Sequence, residues 1–257
     1  LLPLSRRKHE LTISAVRDLV PVPETSISKK FNDVSLRIIV AKEKKAAVIF
    51  MMGAHVIRAG VQRYIIDLME RGFISCIAMN GAGVIHDYEF SLVGGTTESV
   101  AKYISSGQFG LWQETGKIND IINAGYKNDP SIGLGESVGQ AILAGRFPYK
   151  DSSLLAAAAR LNIPVTVHVG IGYDIIHQHP NCSGAATGQL SYNDFLKFSA
   201  LLQNLEDGVV MNFGSAVMAP EVFLKGLSMA RNVAWQKGRH IRRFCTLVCD
   251  IREIEGE

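Results

Sequence analysis

Residues 46–52 read AAVIFMM, an uninterrupted apolar run with the length of one β-strand. Four similar runs follow, at residues 73–79 (FISCIAM), 163–169 (IPVTVHV), 208–213 (GVVMNF) and 244–250 (FCTLVCD). A strand with one face in water alternates in polarity, whereas continuous apolar runs indicate strands that are covered on both faces, as in parallel sheets. The five runs therefore predict a mainly parallel sheet with helices on both sides.

Amphipathic segments separate these runs. Residues 56–70 carry apolar side chains at helical spacing. The same pattern predicts helices at residues 85–92, 97–103, 113–124, 136–144, 152–161, 192–205 and 220–231. Ser191 is placed to cap one of them, and Pro220 suits the start of the last. We expect an α/β fold with a doubly wound, mainly parallel, Rossmann-like sheet. The chain, residues 1–257, would form a single domain, with residues 1–45 as an N-terminal helix and a surface excursion.

Composition narrows the classes of partner. The chain has 257 residues, of which 47% are apolar and 20% charged, as in ordinary globular domains. The formal charge of +3 is spread out, and the one basic cluster, at residues 239–243, is too short to indicate nucleic-acid binding. The sequence shows no apolar stretch of about 18 residues and no signal-peptide layout at residues 1–10. We expect a cytoplasmic protein with no membrane or nucleic-acid partner.

Small residues follow four of the predicted strands, at residues 53–55 (GAH), 80–83 (NGAG), 170–172 (GIG) and 214–216 (GSA). The carboxyl ends of parallel strands lie at one edge of a sheet, so these loops would face one cleft. Glycine permits close approach of a ligand, and the helix N-termini behind the loops favour phosphate. Any single loop could be a plain tight turn, and the full GxGxxG fingerprint is absent. Together the four loops predict a nucleotide-type site.

Ionisable residues cluster on the same loops, which carry five of the seven histidines. Such clustering indicates acid–base capacity. His86 with Glu89, and Asp174 with His177, are spaced i, i+3, so each carboxylate could orient an imidazole. Caps formed by Asp87 and Asp174 are an equally good explanation of those two residues. The candidate catalytic residues are His86, Asp87, Glu89, Glu136, His168, Asp174 and His177.

The order and spacing of these segments resemble the deoxyhypusine synthase family. Residues 53–60 (GAHVIRAG), leading into a helix, are similar to the segment that opens the family's NAD site. Residues 79–87 (MNGAGVIHD) lie where the family has a Thr-Ala-Gly-Gly loop. Residues 135–140 (GESVGQ) and 209–217 (VVMNFGSAV) are similar to its Asp-Gly-Ser-Leu-Gly-Asp turn and its strand with a triple-glycine loop. The resemblance extends over residues 46–250.

The resemblance implies NAD as the cofactor and a homotetramer as the assembly. The cofactor-binding residues it implies are Gly53, Ala54, His55, Ala59, Gly60, Asn80, Gly81, Ala82, Gly83, Gly214 and Ser215.

This sequence also departs from the family pattern. Ile85 and His86 replace the family's paired glutamates, and Gly135 and Gln140 replace the aspartates that hold the polyamine. The family's catalytic histidine and its Ser-Trp-Gly-Lys motif are absent. We therefore expect a deoxyhypusine synthase-like enzyme of transferase or oxidoreductase type that uses NAD on a small amine-bearing substrate, such as a polyamine, and is not a true deoxyhypusine synthase.

Two alternatives stay open. One is a metal-dependent hydrolase or lyase built on the histidine-rich loop at residues 168–182, where His177, His179 and Cys182 could bind zinc. Their spacing matches no familiar zinc motif, so we expect no metal. The other is a non-catalytic NAD-binding protein.

Overall fold

The computed structural model describes residues 1–21 and 29–251. The strands are β1 (Leu11–Thr12), β2 (Val48–Met52), β3 (Cys76–Asn80), β4 (Gly95–Thr96), β5 (Val165–His168), β6 (Val209–Phe213) and β7 (Cys245–Cys249). The α-helices are α1 (Lys29–Glu43), α2 (His55–Arg58), α3 (Gln62–Glu70), α4 (Gly81–Val93), α5 (Val100–Ile104), α6 (Gln113–Asn128), α7 (Leu134–Ala144), α8 (Leu154–Leu161), α9 (Gly184–Leu201) and α10 (Met218–Gln236).

Five strands form one sheet in the order β5–β3–β2–β6–β7, and all neighbours are parallel. This confirms the predicted fold class and the five strand runs, whose ends differ from the prediction by at most three residues. The chain runs outward from β2 to β3 and β5, and then returns to the other side of β2 with β6 and β7. The reversal therefore lies between β2 and β6, where doubly wound sheets open a crevice at their carboxyl edge.

Both faces of the sheet are buried, which explains the continuous apolar runs. Phe50 and Met52 of β2 pack with α3, α4 and α6–α8 in the larger core, while Ile49 and Met51 face the opposite core. That second core contains Phe198 of α9 together with residues of α10. Each face of a strand therefore has an apolar partner, as a parallel sheet requires.

Helix α9 closes the open edge of β5. Asp194 Oδ2 accepts the backbone N–H of Val167 at 2.9 Å, and the Ser191 hydroxyl donates to the Val167 carbonyl at 2.8 Å. These bonds satisfy edge groups that could otherwise pair with another chain. The structure corrects the predicted role of Ser191 as a helix cap: α9 begins earlier, and Ser183 caps it through Ala186 N–H.

Two further segments differ from the sequence expectation. The predicted helix at residues 56–70 is two helices, α2 and α3, because Gly60 adopts φ +76° between them. Residues 1–21 contain short 3-10 turns and β1 in place of an α-helix. The helix α1 instead lies inside the expected surface excursion at residues 22–45, of which 22–28 fall outside the described residues. β1 pairs antiparallel with β4, which holds the N-terminal segment against α4.

Replacing Asp194 with Asn should change how stability depends on pH. Burial raises the pKa of Asp194 to about 7 against the opposing effect of its backbone hydrogen bonds. A carboxyl whose pKa is higher in the folded state stabilises the fold below its unfolded pKa of 3.8 and loses that contribution as the pH rises toward 7. We expect wild type to lose stability relative to Asp194→Asn between pH 4 and 7, measured by urea unfolding.

Glu206→Gln is the matched control. Backbone hydrogen bonds from Arg242 and Arg243 lower the pKa of Glu206 to about 2, so its contribution disappears only as the pH falls below 4.5. This variant should keep the wild-type pH dependence between pH 5 and 7. Parallel stability curves for wild type and Asp194→Asn would contradict the prediction.

Within the described residues, each α-helix is too short or too polar to cross a bilayer.

Candidate functional site

A cavity of about 430 Å³ opens at the carboxyl edge of the sheet, beside the first turns of α4. The N-terminal segment, α2, α4 and the loops after β4 and β5 contribute its walls. Three candidate residues, His86, Glu89 and Asp174, line it. The ionisable residues Glu10, Arg58 and Glu98 line it as well. On the side of the chain-reversal point, where this class of sheet binds ligands, Arg58 of α2 lines the cavity.

A buried ion pair forms one wall of the cavity. Arg7 donates to both oxygens of Glu89, at 2.9 and 2.7 Å, and both side chains are 1% exposed. Thr96 and Thr115 each donate a hydroxyl to the same carboxylate, at 2.7 and 2.6 Å. Burial alone would raise the pKa of Glu89, but the Arg7 guanidinium and these hydrogen bonds outweigh it and hold the pKa below its usual value. Glu89 is therefore ionised at neutral pH.

His86 connects this ion pair to the cavity. Its Nδ1 lies 2.8 Å from the Thr96 hydroxyl oxygen, and the imidazole lines the cavity without a hydrogen-bond partner for Nε2 among the described residues. Burial lowers the pKa of His86 to about 4, and Arg58 and Arg7 lower it further against the attraction of Glu89. The imidazole is therefore neutral at pH 7.

Asp174 occupies the N-terminus of α4. Its carboxylate accepts the Ala82 N–H and lies against Gly81, where a Cβ would overlap it. The Asn80 side chain accepts the Gly83 N–H at 3.1 Å. Burial raises the pKa of Asp174 to about 6. The side chains of Asp174 and Asn80 therefore already accept the backbone N–H groups that the sequence had predicted to bind a cofactor.

His177 supports the Asp174 loop from outside the cavity. Its Nδ1 accepts the backbone N–H groups of Gly172 and Asp174, at 3.1 and 3.2 Å. Its Nε2 is buried without a hydrogen-bond partner among the described residues, 4.0 Å from the Asp174 carboxylate. Burial lowers the pKa of His177, so the imidazole stays neutral and continues to accept both N–H groups. The two residues form a capping box that fixes the turn.

Arg7, Glu10, Arg58 and Glu98 line the cavity but were absent from the candidates drawn from sequence. Glu98 is 9% exposed and accepts Gly110 N–H and Trp112 Nε1–H, both at 2.9 Å; burial raises its pKa. Arg58 contacts His55 Nε2 at 3.0 Å, and in the described part of the chain its buried Nε has no acceptor. The cavity therefore presents carboxylate groups as well as a guanidinium group to a ligand.

Asp87 turns away from the cavity. Its carboxylate accepts the Ser153 hydroxyl at 2.5 Å and the N–H groups of Leu154 and Leu155 at 2.8 and 3.2 Å. Burial raises the pKa of Asp87 to about 6 despite these bonds. Asp87 therefore caps the first turn of α8. A capping role was one of the two sequence interpretations of Asp87, but the helix that it caps is not α4, on which Asp87 itself lies.

Two other candidates also lie outside this cavity. Glu136 is exposed on α7 and pairs with Lys197 at 2.6 Å, beside a second cavity of about 690 Å³ at the amino edge of the sheet. It lies there because α7 begins against the first residue of β5, with Gly135 touching the Val165 carbonyl. His168 is buried at the end of β5, bonded to Thr166 at 3.0 Å and packed edge-on against Phe198.

The loops at the reversal point touch each other. Gly53 N–H donates to the Phe213 carbonyl at 2.9 Å, and a Cβ on Gly53 would overlap the Gly214 carbonyl oxygen. Ala54 and Ser215 are buried beside them, whereas His55 and Gly214 are exposed. Further along, Ala59 and Gly60 accept hydrogen bonds from Arg17 of the N-terminal segment.

Gly53→Ala should test this contact. The added methyl group would force the two loops apart, and overpacking of this kind costs about 1–3 kcal/mol of stability. Gly188→Ala is the control, since that helical glycine has open space around it and alanine favours a helix. We expect urea unfolding to show a loss for Gly53→Ala and none for Gly188→Ala. Equal stability of the two variants would contradict the assignment.

The histidine-rich loop does not assemble a metal site in the described part of the chain, where no three His, Cys, Asp or Glu side chains converge as ligands. His177 accepts backbone N–H groups, whereas His179 is directed at the Gly110 carbonyl, 2.8 Å from its Nε2. The two imidazoles therefore have separate structural partners.

Fold and site together define a Rossmann-like α/β protein with an acid–base cavity at the carboxyl edge of a parallel sheet. No protein-family model matches the sequence, and a search of curated proteins found no match. Among solved structures, a variant of AgrE bound to L-arginine matches 91% of this chain at 13% identity, with a TM-score of 0.52. This chain spans 32% of that one. At this identity the likeness shows the fold alone.

Other solved structures match at lower TM-scores. A complex of AgrE with ornithine and NAD+ covers 83% of this chain and 27% of its own, at 14% identity and TM-score 0.49. A LOR/SDH-type protein from Methanococcus maripaludis S2 covers 91% of this chain and 70% of its own, at 17% identity and TM-score 0.49. A protein from Entamoeba histolytica described as a deoxyhypusine synthase matches 75% of this chain over 73% of its own length, at 13% identity and TM-score 0.42.

Proposed function

We propose that this chain is part of a deoxyhypusine synthase-like, NAD-dependent enzyme that removes hydride from a small amine-bearing substrate, and that it is not a true deoxyhypusine synthase. The observation that carries the proposal is one cavity that combines a neutral imidazole, His86, with the carboxylates of Glu10, Glu98 and Asp174. Carboxylates pair well with an ammonium group. The imidazole supplies the proton acceptor that such chemistry needs.

The residues present fit NAD at the reversal point better than at α4. At α4 the N–H groups of Ala82 and Gly83 already have acceptors. At the start of α10, Gly214 is exposed, and Ala216 and Val217 have backbone N–H groups without an acceptor among the described residues. Such groups can receive phosphate. AgrE, which shares the fold, has been crystallised with NAD+.

The chain's own residues would act on the substrate as follows. The carboxylates of Glu98 and Asp174 bind the ammonium group and orient it toward His86. His86 Nε2 accepts the proton that leaves the ammonium nitrogen, which frees the lone pair to form a C=N bond. The chemistry that bound NAD would supply is a hydride acceptor for the adjacent substrate carbon. One substrate C–H bond is thereby oxidised, and the ammonium substrate and NAD+ yield a protonated imine, NADH and the one proton accepted by His86.

Thermal unfolding with NAD and a diamine tests the proposal. A ligand that binds only the native state raises the free energy of unfolding by RT ln(1 + [L]/Kd), and the melting temperature therefore rises with ligand concentration. We expect NAD to raise the melting temperature, and 1,4-diaminobutane or spermidine with NAD to produce absorbance at 340 nm. No stabilisation by millimolar NAD would overturn the proposal. Stabilisation without NADH formation from any amine tested would favour the non-catalytic NAD-binding alternative.

The homotetramer stays part of this proposal and rests on the family resemblance. Sedimentation velocity at micromolar concentration measures it, and a monomer would contradict it.

A further inference from the structure

We propose that Thr96 is a positioning residue that holds His86 in the tautomer with its proton on Nδ1 and its lone pair on Nε2, toward the cavity. The inference rests on the proposed function in one respect, namely that the Nε2 lone pair accepts a proton from the substrate. The hydrogen bonds that carry it belong to the fold itself. They run from Arg7 through Glu89 and Thr96 to His86.

The tautomer of His86 follows from counting the protons available to these hydrogen bonds. An ionised carboxylate has no proton to donate, so Glu89 can only accept. The Thr96 hydroxyl has a single proton, and at 2.7 Å from Glu89 Oε2 that proton goes to the carboxylate. The hydroxyl oxygen is then the acceptor in the 2.8 Å contact with His86 Nδ1. Nδ1 must therefore carry the imidazole's proton.

The Arg7 pair makes this direction stable. Because Arg7 donates to both oxygens of Glu89, the carboxylate stays ionised although it is 1% exposed. A protonated Glu89 could donate a hydrogen bond to the Thr96 hydroxyl. That hydroxyl could then donate to His86 Nδ1, and Nδ1 would no longer have to carry the proton. A neutral imidazole has one N–H, so with Nδ1 protonated Nε2 is an acceptor. The fixed tautomer thus keeps a lone pair where a substrate proton arrives, as a positioned general base requires.

The i, i+3 spacing of His86 and Glu89 had suggested direct orientation of the imidazole by the carboxylate. In the structure, Thr96 of β4 stands between them, and β4 is held in place by its pairing with β1 of the N-terminal segment. The same segment supplies Arg7. The N-terminal residues would therefore control the protonation pattern of a histidine some 80 positions away.

Long-range 15N–1H correlation spectra of 15N-histidine-labelled protein report the tautomer directly, without NAD or substrate. We expect the His86 signals, assigned by their loss in His86→Gln, to show Nδ1–H in wild type. Thr96→Val should shift the population toward Nε2–H, and Thr96→Ser should restore it. Thr115→Val is the matched control, because it removes a buried hydroxyl from the same Glu89 carboxylate without touching His86.

Each outcome decides the proposal. Wild-type His86 with its proton on Nε2 overturns it, even if Thr96→Val does not fold. An unchanged tautomer in folded Thr96→Val, or an equal change in Thr115→Val, overturns the positioning role. If the tautomer is as proposed but NAD does not bind, then the proposed function fails while the role of Thr96 stands.

Discussion

Replacing Glu89 with Gln should lower the free energy of unfolding by about 3–5 kcal/mol, the usual cost of leaving a buried charge without its partner. The side chains of Arg7 and Glu89 are both 1% exposed, so water cannot replace the lost carboxylate. The amide would also present a donor to a site where Arg7, Thr96 and Thr115 already donate. Urea unfolding at pH 7 measures the loss.

A double variant separates the lost pair from lost packing. Replacing a buried ion pair with apolar side chains of similar size is often neutral, because both desolvation costs disappear together. Arg7→Met with Glu89→Met should therefore be less destabilised than the sum of the single variants, although two threonine hydroxyls lose their acceptor. Additive losses, or a loss below about 1 kcal/mol in Glu89→Gln, would mean that the pair contributes little.

The sheet could be predicted from sequence because its signal is local. Each of the runs at residues 46–52 and 208–213 is apolar over its whole length, and burial on both faces requires that pattern. The reversal between β2 and β6 follows from pairing partners far apart along the chain. No local pattern encodes that pairing, although it decides which loops meet.

The cavity was harder to predict because its wall is assembled from distant segments. Arg7 reaches Glu89 from the N-terminal segment, which β1 pairs with β4, and a two-residue strand leaves almost no sequence signal. Glu98 follows β4, which is not one of the five apolar runs. It was therefore not in any of the loops predicted to follow a strand.

The separation of Asp87 from Glu89 could have been predicted. On one helix, residues i and i+2 lie about 200° apart, so both cannot face the same cavity. Asp87 accordingly binds the first turn of α8, while Glu89 faces the N-terminal segment. Helical geometry therefore favours His86 with Glu89, and excludes Asp87 from their side.

Replacing His86 with Ala should lower kcat for amine-dependent NADH formation by about 10²–10⁴-fold, the usual contribution of a positioned general base. The variant removes the proposed proton acceptor but leaves the carboxylates of Glu98 and Asp174, which are proposed to bind the ammonium group, and the proposed NAD loops. KM for the amine and stabilisation by NAD should therefore change little. His240→Ala, at an exposed position near the end of α10, is the control and should retain the wild-type rate.

The pH profile gives a second test of the same role. Only the neutral imidazole accepts a proton, and burial lowers the pKa of His86 to about 4. In wild type, His86 should contribute a rise in kcat as the pH increases through about 4, below the pH of about 6 at which Asp174 ionises, and His86 should add no change near pH 6.5, where an unburied histidine would titrate. The limb near pH 4 should be absent from the residual activity of His86→Ala. Full activity of His86→Ala, or an identical limb in that variant, would show that another group accepts the proton.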